Sequence, residues 1–440
     1  MNTLPILMGS QPDTTIFNYK DELITHEKFK QDACCLAENL QQHKYAINLC
    51  EDRYLFTLGF VACMLQKQIC LMPASSAEKE IESLEQDYAD TQRINDALLE
   101  TLLSSQTKTE NCFPAEINAN QVVAILFTSG SSGKPQANPK QWGTLVDSAQ
   151  RVASQLNLNK PAQHTLIATV PPQHMYGFEM TVILPLVAAV CVHSGKPFFP
   201  EDIRHTLELV NKPAILVTTP IHLRACVQEK FTWPAIDFVL SATAPLSVQL
   251  AKKTEQQLQT TVREIYGCSE AGVIATRTTT QNPDWLLLTG YAFVEKPSGV
   301  CLLTPGNNEG ILLPDQVEKI DPRHFHLLGR QTDIVKIAGK RGSLNDLKIK
   351  LCALEGIHDA IFFMPDGHPD EKARLAAFVV APNLCLEEIT SFFSKQIDKA
   401  FVPRPFIKVE KIPYNEIGKI PRKDLLTLLK QRHKPLKNSA

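Results

Sequence analysis

The chain has 440 residues, 44% of them apolar and 21% charged, with a formal net charge of −2. That length exceeds what one compact core organises and implies two or more domains. The near-neutral balance excludes a general attraction to nucleic acid or to an anionic membrane, so any anionic ligand must be bound by local geometry.

The N-terminal stretch MNTLPILMGSQPD lacks a basic n-region and a long apolar h-region, so no signal peptide is expected. No apolar run reaches the roughly 18 residues of a spanning helix, and no membrane span is expected. Twelve cysteines are scattered without a single C-x-x-C pair; they read as reduced, mostly buried thiols of a cytoplasmic protein. The first 115 residues mix helix and strand, with a polar, helical stretch over 77–104. From Val122 onward, short apolar runs alternate with helical patterns. VVAILFT (122–128) reads as a buried strand, and Trp142, Leu145, Val146, Ala149, Val152, Ala153 and Leu156 recur at helical spacing. TLIATV (165–170), AAVCVH (188–193), AILVTT (214–219), DFVLSA (237–242) and VREIYG (262–267) continue the strand series. This alternation predicts an α/β domain with a largely parallel central sheet, whose ligands sit at the carboxyl ends of strands.

Near GRQTD (329–333) the composition shifts. Helical LNDLKIKLCALEG, strand-like AIFFMP and RLAAFVV, and helical LEEITSFFSKQI follow, enough for a small α/β domain with its own core. The boundaries read as 1–328 for a large N-terminal domain, 329–333 for a hinge and 334–440 for a small, mobile C-terminal domain. The basic end, KQRHKPLKNSA, reads as a solvated tail.

The run TSGSSGKPQA (128–137) follows the first of these strands. Successive small residues let backbone N–H groups curl around an anion while hydroxyls add donors, which is the physics of a phosphate-binding loop. It is not a Walker loop, because Thr128 and Pro135 stand where that pattern needs Gly and Ser or Thr. Taken alone, it reads equally as a flexible Ser/Gly surface loop.

Further motifs follow in order. The loop resembles the T-S-G-T-T-G-x-P-K-G segment of the adenylate-forming superfamily, which includes acyl- and aryl-CoA ligases and peptide-synthetase adenylation domains. SATAPL (241–246) resembles S-G-G-A-P-L, and YGCSE (266–270) resembles Y-G-x-[ST]-E. GRQTDIVKIAGKR (329–341) and PYNEIGKIPRKDL (413–425) are similar to the two C-terminal signatures. The resemblance spans residues 122 to 425. It implies that Thr128, Ser129, Gly130, Ser131, Ser132, Gly133 and Lys134 surround ATP phosphates. It further implies that Glu270 helps hold Mg²⁺, that Tyr266 flanks adenine, and that Asp315, fourteen positions before Gly329, binds the ribose with Arg330. Lys419 is the implied adenylation lysine, reaching both the acid carboxylate and the α-phosphate. Lys336 and Gly339 belong to the implied thiol-transfer loop, and Thr332 to the hinge. His174, in PPQHMYGFEM, stands where relatives acting on acyl or aryl acids carry a histidine near the carboxylate, with Tyr176 and Gly177 as candidate pocket walls; a structural histidine is the alternative.

The expected reaction is ATP-dependent activation of a carboxylic acid, aryl or medium-chain acyl, to acyl-AMP. Transfer to the pantetheine thiol of coenzyme A or of an acyl carrier protein follows. An amino-acid-adenylating enzyme is a second reading, weakened because the Asp that anchors a substrate ammonium is missing, although Glu179 is close. A degenerate, non-catalytic nucleotide-binding protein is a third, supported by Gln136 and Ala137 in place of the usual Lys-Gly. Lys134 or Lys140 is expected to supply the missing loop charge. The segment before the phosphate loop is short for this superfamily, a trimmed N-terminal subdomain similar to that of compact ligases in aryl polyene and xanthomonadin-type pigment pathways.

Overall fold

The computed structural model describes residues 2–8, 11–104, 113–114, 116–129, 135–158, 164–210, 213–297, 299–330, 333–337, 340–365, 374–414, 420 and 422–432. The chain divides into two compact units, Met1–Ala292 with Leu302–Ile311, and Phe293–Cys301 with Leu312–Ala440.

Two large sheets organise the first unit. In the larger, neighbouring strands run Trp285–Leu287, Gly272–Arg277, Thr261–Cys268, Phe238–Ser241, Ala214–Thr218, His164–Ala168, Val190–His193, Thr15–Tyr19 and Glu22–Thr25. From Thr261–Cys268 to Thr15–Tyr19 all pairings are parallel, while the flanking hairpin partners are antiparallel. The central runs are apolar at nearly every position because both faces of a parallel sheet are covered. One face carries Ile167, Leu216, Val239 and Val262, packed against Ile203 and Leu207, Leu223 and Cys226, and Leu250, Ala251 and Leu258. These come from the helices Pro200–Glu208, Pro220–Cys226 and Val248–Leu258.

The second sheet has the order Thr91–Ile94, Tyr45–Asn48, Ile69–Met72, Val122–Ser129, Pro135–Gln141. Its pairings are parallel except the last. The strand before the Ser/Gly loop therefore joins the N-terminal strands rather than the series that follows it in sequence. The chain returns beside it, with Thr128 opposite Gln136 and Ser129 opposite Pro135, before the helix Trp142–Gln155 begins. The polar stretch expected to be helical over 77–104 is two helices, Glu78–Asp87 and Asp96–Ser104, around the strand Thr91–Ile94. Arg93 on that strand pairs with Glu85 at 2.6 Å and Glu78 at 2.7 Å, so a segment without an apolar run still finds cross-element partners.

In the second unit, Asp359–Phe363 pairs antiparallel with Ala376–Val380, which pairs parallel with Phe406–Lys408. Side chains alternate as strand geometry requires. Ala360, Phe362, Ala377 and Val379 pack with Leu347, Leu351, Ile389 and Phe393. Phe363, Ala376 and Phe378 face the other way, against Val409, Ile412 and Leu425. The helices Leu344–Cys352, Leu386–Gln396 and Arg422–Arg432 supply these faces. Ser343 caps the first of them by accepting from the Asp346 N–H. The unit also contains two hairpins, Asp315–Lys319 with His324–Arg330 and Ile334–Ile337 with Lys340–Ser343.

Candidate active site

The turn between the strands Thr261–Cys268 and Gly272–Arg277 carries YGCSE, and its shape follows from two glycines. A Cβ at Gly267 would lie 2.4 Å from the Gly272 carbonyl oxygen, so the strands can cross this closely only without one. Gly272 has φ +75°, a left-handed conformation that favours glycine, and a Cβ there would lie 2.9 Å from a Glu179 carboxylate oxygen. Tyr266 precedes the turn, buried, with its ring centroid 5.7 Å from that of Trp285. Glu270 is exposed at the tip.

Beneath the turn lies a group of polar residues that sequence reasoning did not assemble. Lys140, 6% exposed, donates from its ammonium to the carbonyls of Ser269 and, at 3.1 Å, Glu270. This corrects the expectation that Lys140 stands in for the missing phosphate-loop lysine. Its charge is used on backbone carbonyls, because strand alternation turns Asn138 and Lys140 inward together while Ala137 and Pro139 face out. Glu179 is 1% exposed; it accepts from the Ser148 hydroxyl and, at 3.0 Å, from the Val273 N–H. Burial pushes the Glu179 carboxyl up to about 7, opposed by the Ser148 hydrogen bond and the Lys140 charge. Burial likewise lowers the Lys140 ammonium, opposed by Glu179. Glu179 opens a π-helical turn, Glu179–Ile183, between the short helical segments Met175–Phe178 and Leu184–Val187. The signal that could have found it is a lone carboxylate heading the apolar run EMTVILPLV. With both its oxygens bonded inside the protein, it is not placed to receive a substrate ammonium.

His174 is half-buried and precedes the helix Met175–Phe178, its carbonyl accepting from the Phe178 N–H at 2.7 Å. The Tyr176 hydroxyl donates to the Leu240 carbonyl at 2.8 Å, tying this segment to the end of the strand Phe238–Ser241, and burial pushes its phenol well above the ordinary value. Gly177 is demanded by packing, since a Cβ there would lie 1.9 Å from the Pro171 carbonyl oxygen. Arg53, fully buried, donates to the carbonyls of Ala168 at 2.5 Å and Val170 at 2.6 Å, fixing the chain as it leaves its strand toward this segment. After Ser241, Thr243 has φ +75°, unusual for a β-branched residue. It stands where the resembling motif has glycine, which explains the glycine.

Of the phosphate loop, Thr128 is half-buried at the end of its strand, Ser129 continues that strand, and Gln136 is exposed on the return strand. Gly130, Ser131, Ser132, Gly133 and Lys134 lie outside the described residues, as do Lys419, Gly339 and Thr332. In the second unit, Asp315 is buried and Arg330 is its direct cross-strand partner, so the two residues expected at a ribose share one hairpin position. Lys336 is exposed on the Ile334–Ile337 strand. Among the described residues, no three His, Cys, Asp or Glu side chains are grouped to hold a metal, and no helix is long and apolar enough to cross a membrane.

A family model described as AMP-binding enzyme matches residues 40–295. The chain is similar to 4-coumarate–CoA ligase of Halorhodospira halophila, 24% identical over 302 residues covering 67% of this chain and 73% of the relative. It is also similar to 3,4-dihydroxybenzoate–[aryl-carrier protein] ligase of Bacillus anthracis, 23% identical with 69% and 74% covered. Its fold matches o-succinylbenzoate CoA synthetase from Bacillus subtilis, solved in complex with its acyl-adenylate intermediate, at a TM-score of 0.80, with 16% identity and 97% and 98% of the two chains covered. The same enzyme solved with ATP and magnesium ion gives 0.79, with 16% identity and 94% and 97% covered.

Proposed function

The chain belongs to the AMP-binding enzyme family, and from that footing we propose that it joins a carboxylic acid to a pantetheine thiol in two steps. In the first, the acid carboxylate attacks the α-phosphorus of ATP, giving acyl-AMP and pyrophosphate. In the second, the thiol of coenzyme A or of a carrier protein attacks the acyl carbonyl and AMP leaves. The reading takes support from relatives whose names specify both kinds of acceptor. The observation that carries it is the Glu270 turn, an exposed carboxylate on a glycine-shaped backbone seated on a buried ammonium.

The joining of two anions is the barrier, and fixed donors and cations in a site that excludes water lower it most. The phosphate loop would contribute N–H and hydroxyl donors. Lys419 would bridge the acid carboxylate and the α-phosphate, and Asp315 with Arg330 would hold the ribose. A Mg²⁺ ion, which favours one or two carboxylates with phosphate and water oxygens, fits the single exposed carboxylate of Glu270. When bound it would supply positive charge to the polyphosphate. The acid is aryl or medium-chain acyl in this reading: His174 stands near its carboxylate, and Glu179, which could have met an amino group, is committed to Ser148 and Val273. The small unit turns about Thr332 so that Lys419 serves the first step and the Lys336–Gly339 loop serves the second, a hinge motion of a common kind.

The test is pyrophosphate release from ATP across a panel of aryl, acyl and amino acids. Acceleration by aryl or medium-chain acids, with thioester formed on coenzyme A or a phosphopantetheinylated carrier, is expected. Acceleration by amino acids alone would favour the second reading, and none with any acid would favour a nucleotide-binding protein without turnover.

A further inference from the structure

An ammonium inside a folded protein is costly, because burial strips its hydration and only good partners repay it. Methionine would fill the space of Lys140 without that cost. What the charge adds at this place is two bonds, to the carbonyls of Ser269 and Glu270. On the far side of the same turn, Glu179 accepts the Val273 N–H at 3.0 Å and is itself held by Ser148. A cation takes the carbonyls where the turn begins and a carboxylate takes the amide where it ends. Gly272 brings the backbone down onto that carboxylate at a distance no Cβ would permit. The two residues come from different elements, the strand Pro135–Gln141 and the turn Glu179–Ile183, so they brace Ser269–Val273 from separate supports.

We propose that Lys140 and Glu179 are positioning residues for adenylation, holding the Ser269–Val273 turn so that the Glu270 carboxylate stands fixed where Mg²⁺ and the nucleotide meet it. This rests on the reading of Glu270 given above. Neither residue touches substrate; both act through the backbone of the turn. Partners of this indirect kind commonly change metal affinity or activity by about 10- to 100-fold when lost.

The test compares wild type, Lys140→Met, Glu270→Gln and the double variant by two measurements. One is the Mg²⁺ dependence of acid-dependent pyrophosphate release. The other is amide hydrogen exchange across residues 266–274 without ligands. Lys140→Met is expected to raise the apparent KM for Mg²⁺ about tenfold, to leave the KM for the acid unchanged and to speed exchange at the turn. The double variant should need no more Mg²⁺ than Glu270→Gln alone, since residues acting through one group are not additive. A Lys140→Met protein with a lower Tm, unchanged Mg²⁺ requirement and unchanged exchange at the turn overturns the proposal. So does full additivity with Glu270→Gln. If Glu270→Gln itself leaves the Mg²⁺ requirement unchanged, the metal reading of Glu270 fails; exchange then decides alone, faster exchange in Lys140→Met supporting the brace and unchanged exchange overturning it. Should Lys140→Met not fold, Glu179→Gln carries the same comparison, a raised Mg²⁺ requirement supporting the proposal and an unchanged one overturning it.

Discussion

The Glu270 turn of the first unit and the Lys336 hairpin of the second are seated in opposite ways. The turn rests on buried charge, with Lys140 on its carbonyls and Glu179 on its amide. The hairpin rests on apolar packing: Val335 and Ile337 join a core that includes Phe401, while Lys336 between them is exposed. Apolar seating decides which face of a strand is buried and little else, because it has no direction. Hydrogen bonds to chosen carbonyls and amides fix the backbone atom by atom. The first arrangement suits a carboxylate that must stand at one distance from a metal and polyphosphate. The second leaves Lys336 exposed between two buried neighbours.

If the polar seat serves adenylation, Glu270→Ala should cut acid-dependent pyrophosphate release by roughly 100- to 1,000-fold, the usual loss for one preorganised electrostatic group. Raised Mg²⁺ should restore part of it, and thioester formation from supplied acyl-adenylate should be far less affected. Equal loss in both half-reactions would break the contrast.

The cost of the polar seat should appear in pH. Glu179 is raised from 4.5 to about 7, so between those values the folded protein keeps a proton that the unfolded chain has released. Stability from this group is therefore fully present below about pH 4.5, falls as pH rises and levels off above about 7. The total is of the order of 3 kcal/mol. Glu179→Gln keeps an acceptor for the Val273 N–H and removes the titration. Urea unfolding of both proteins at pH 5, 6, 7 and 8 should show wild type losing stability relative to the variant from pH 5 to about 7 and little further change by pH 8; a constant difference would contradict the burial-raised titration of Glu179.

The apolar seat should respond to volume rather than charge. At Gly342 a Cβ would lie 2.6 Å from the Phe401 ring, so Gly342→Ala should destabilise by about 1–3 kcal/mol through overpacking. We expect it to slow thiol transfer more than adenylate formation, read as separate half-reactions. Thr243 gives the smallest effect. Its φ of +75° stores about 1–3 kcal/mol of backbone strain, part of which glycine would return to unfolded-chain entropy. Thr243→Gly should therefore raise stability by about 1 kcal/mol in denaturant unfolding, and a loss would show that the threonine side chain outweighs its strain.

Much of this architecture is legible along the chain because parallel strands buried on both faces announce themselves as unbroken apolar runs. Val190–His193, Ala214–Thr218, Phe238–Ser241 and the helix Trp142–Gln155 all fall within or beside the predicted segments. Periodicity reports that a strand exists, not which sheet it enters, so the placement of Val122–Ser129 beside the N-terminal strands was hidden. Thr91–Ile94 escaped notice because Thr, Gln and Arg carry no apolar signal and its partners lie in other elements. The Lys140–Glu179 brace was invisible for a similar reason. PQANPKQ reads as polar loop, and only the antiparallel return beside Val122–Ser129 turns Lys140 inward. YGCSE and the Asp315–Arg330 pair lie on strands that adjoin in sequence, so those segments stand out along the chain although the distant residues that brace the first of them do not.

The most direct measurement is single-turnover incubation of the protein with ATP, Mg²⁺ and the best acid of the panel, without thiol, followed by mass spectrometry. We predict that acyl-AMP accumulates in amounts comparable to the enzyme and disappears, with release of AMP and appearance of thioester, when coenzyme A or the phosphopantetheinylated carrier is added. Bound ATP that stays intact with every acid would contradict the proposed activity.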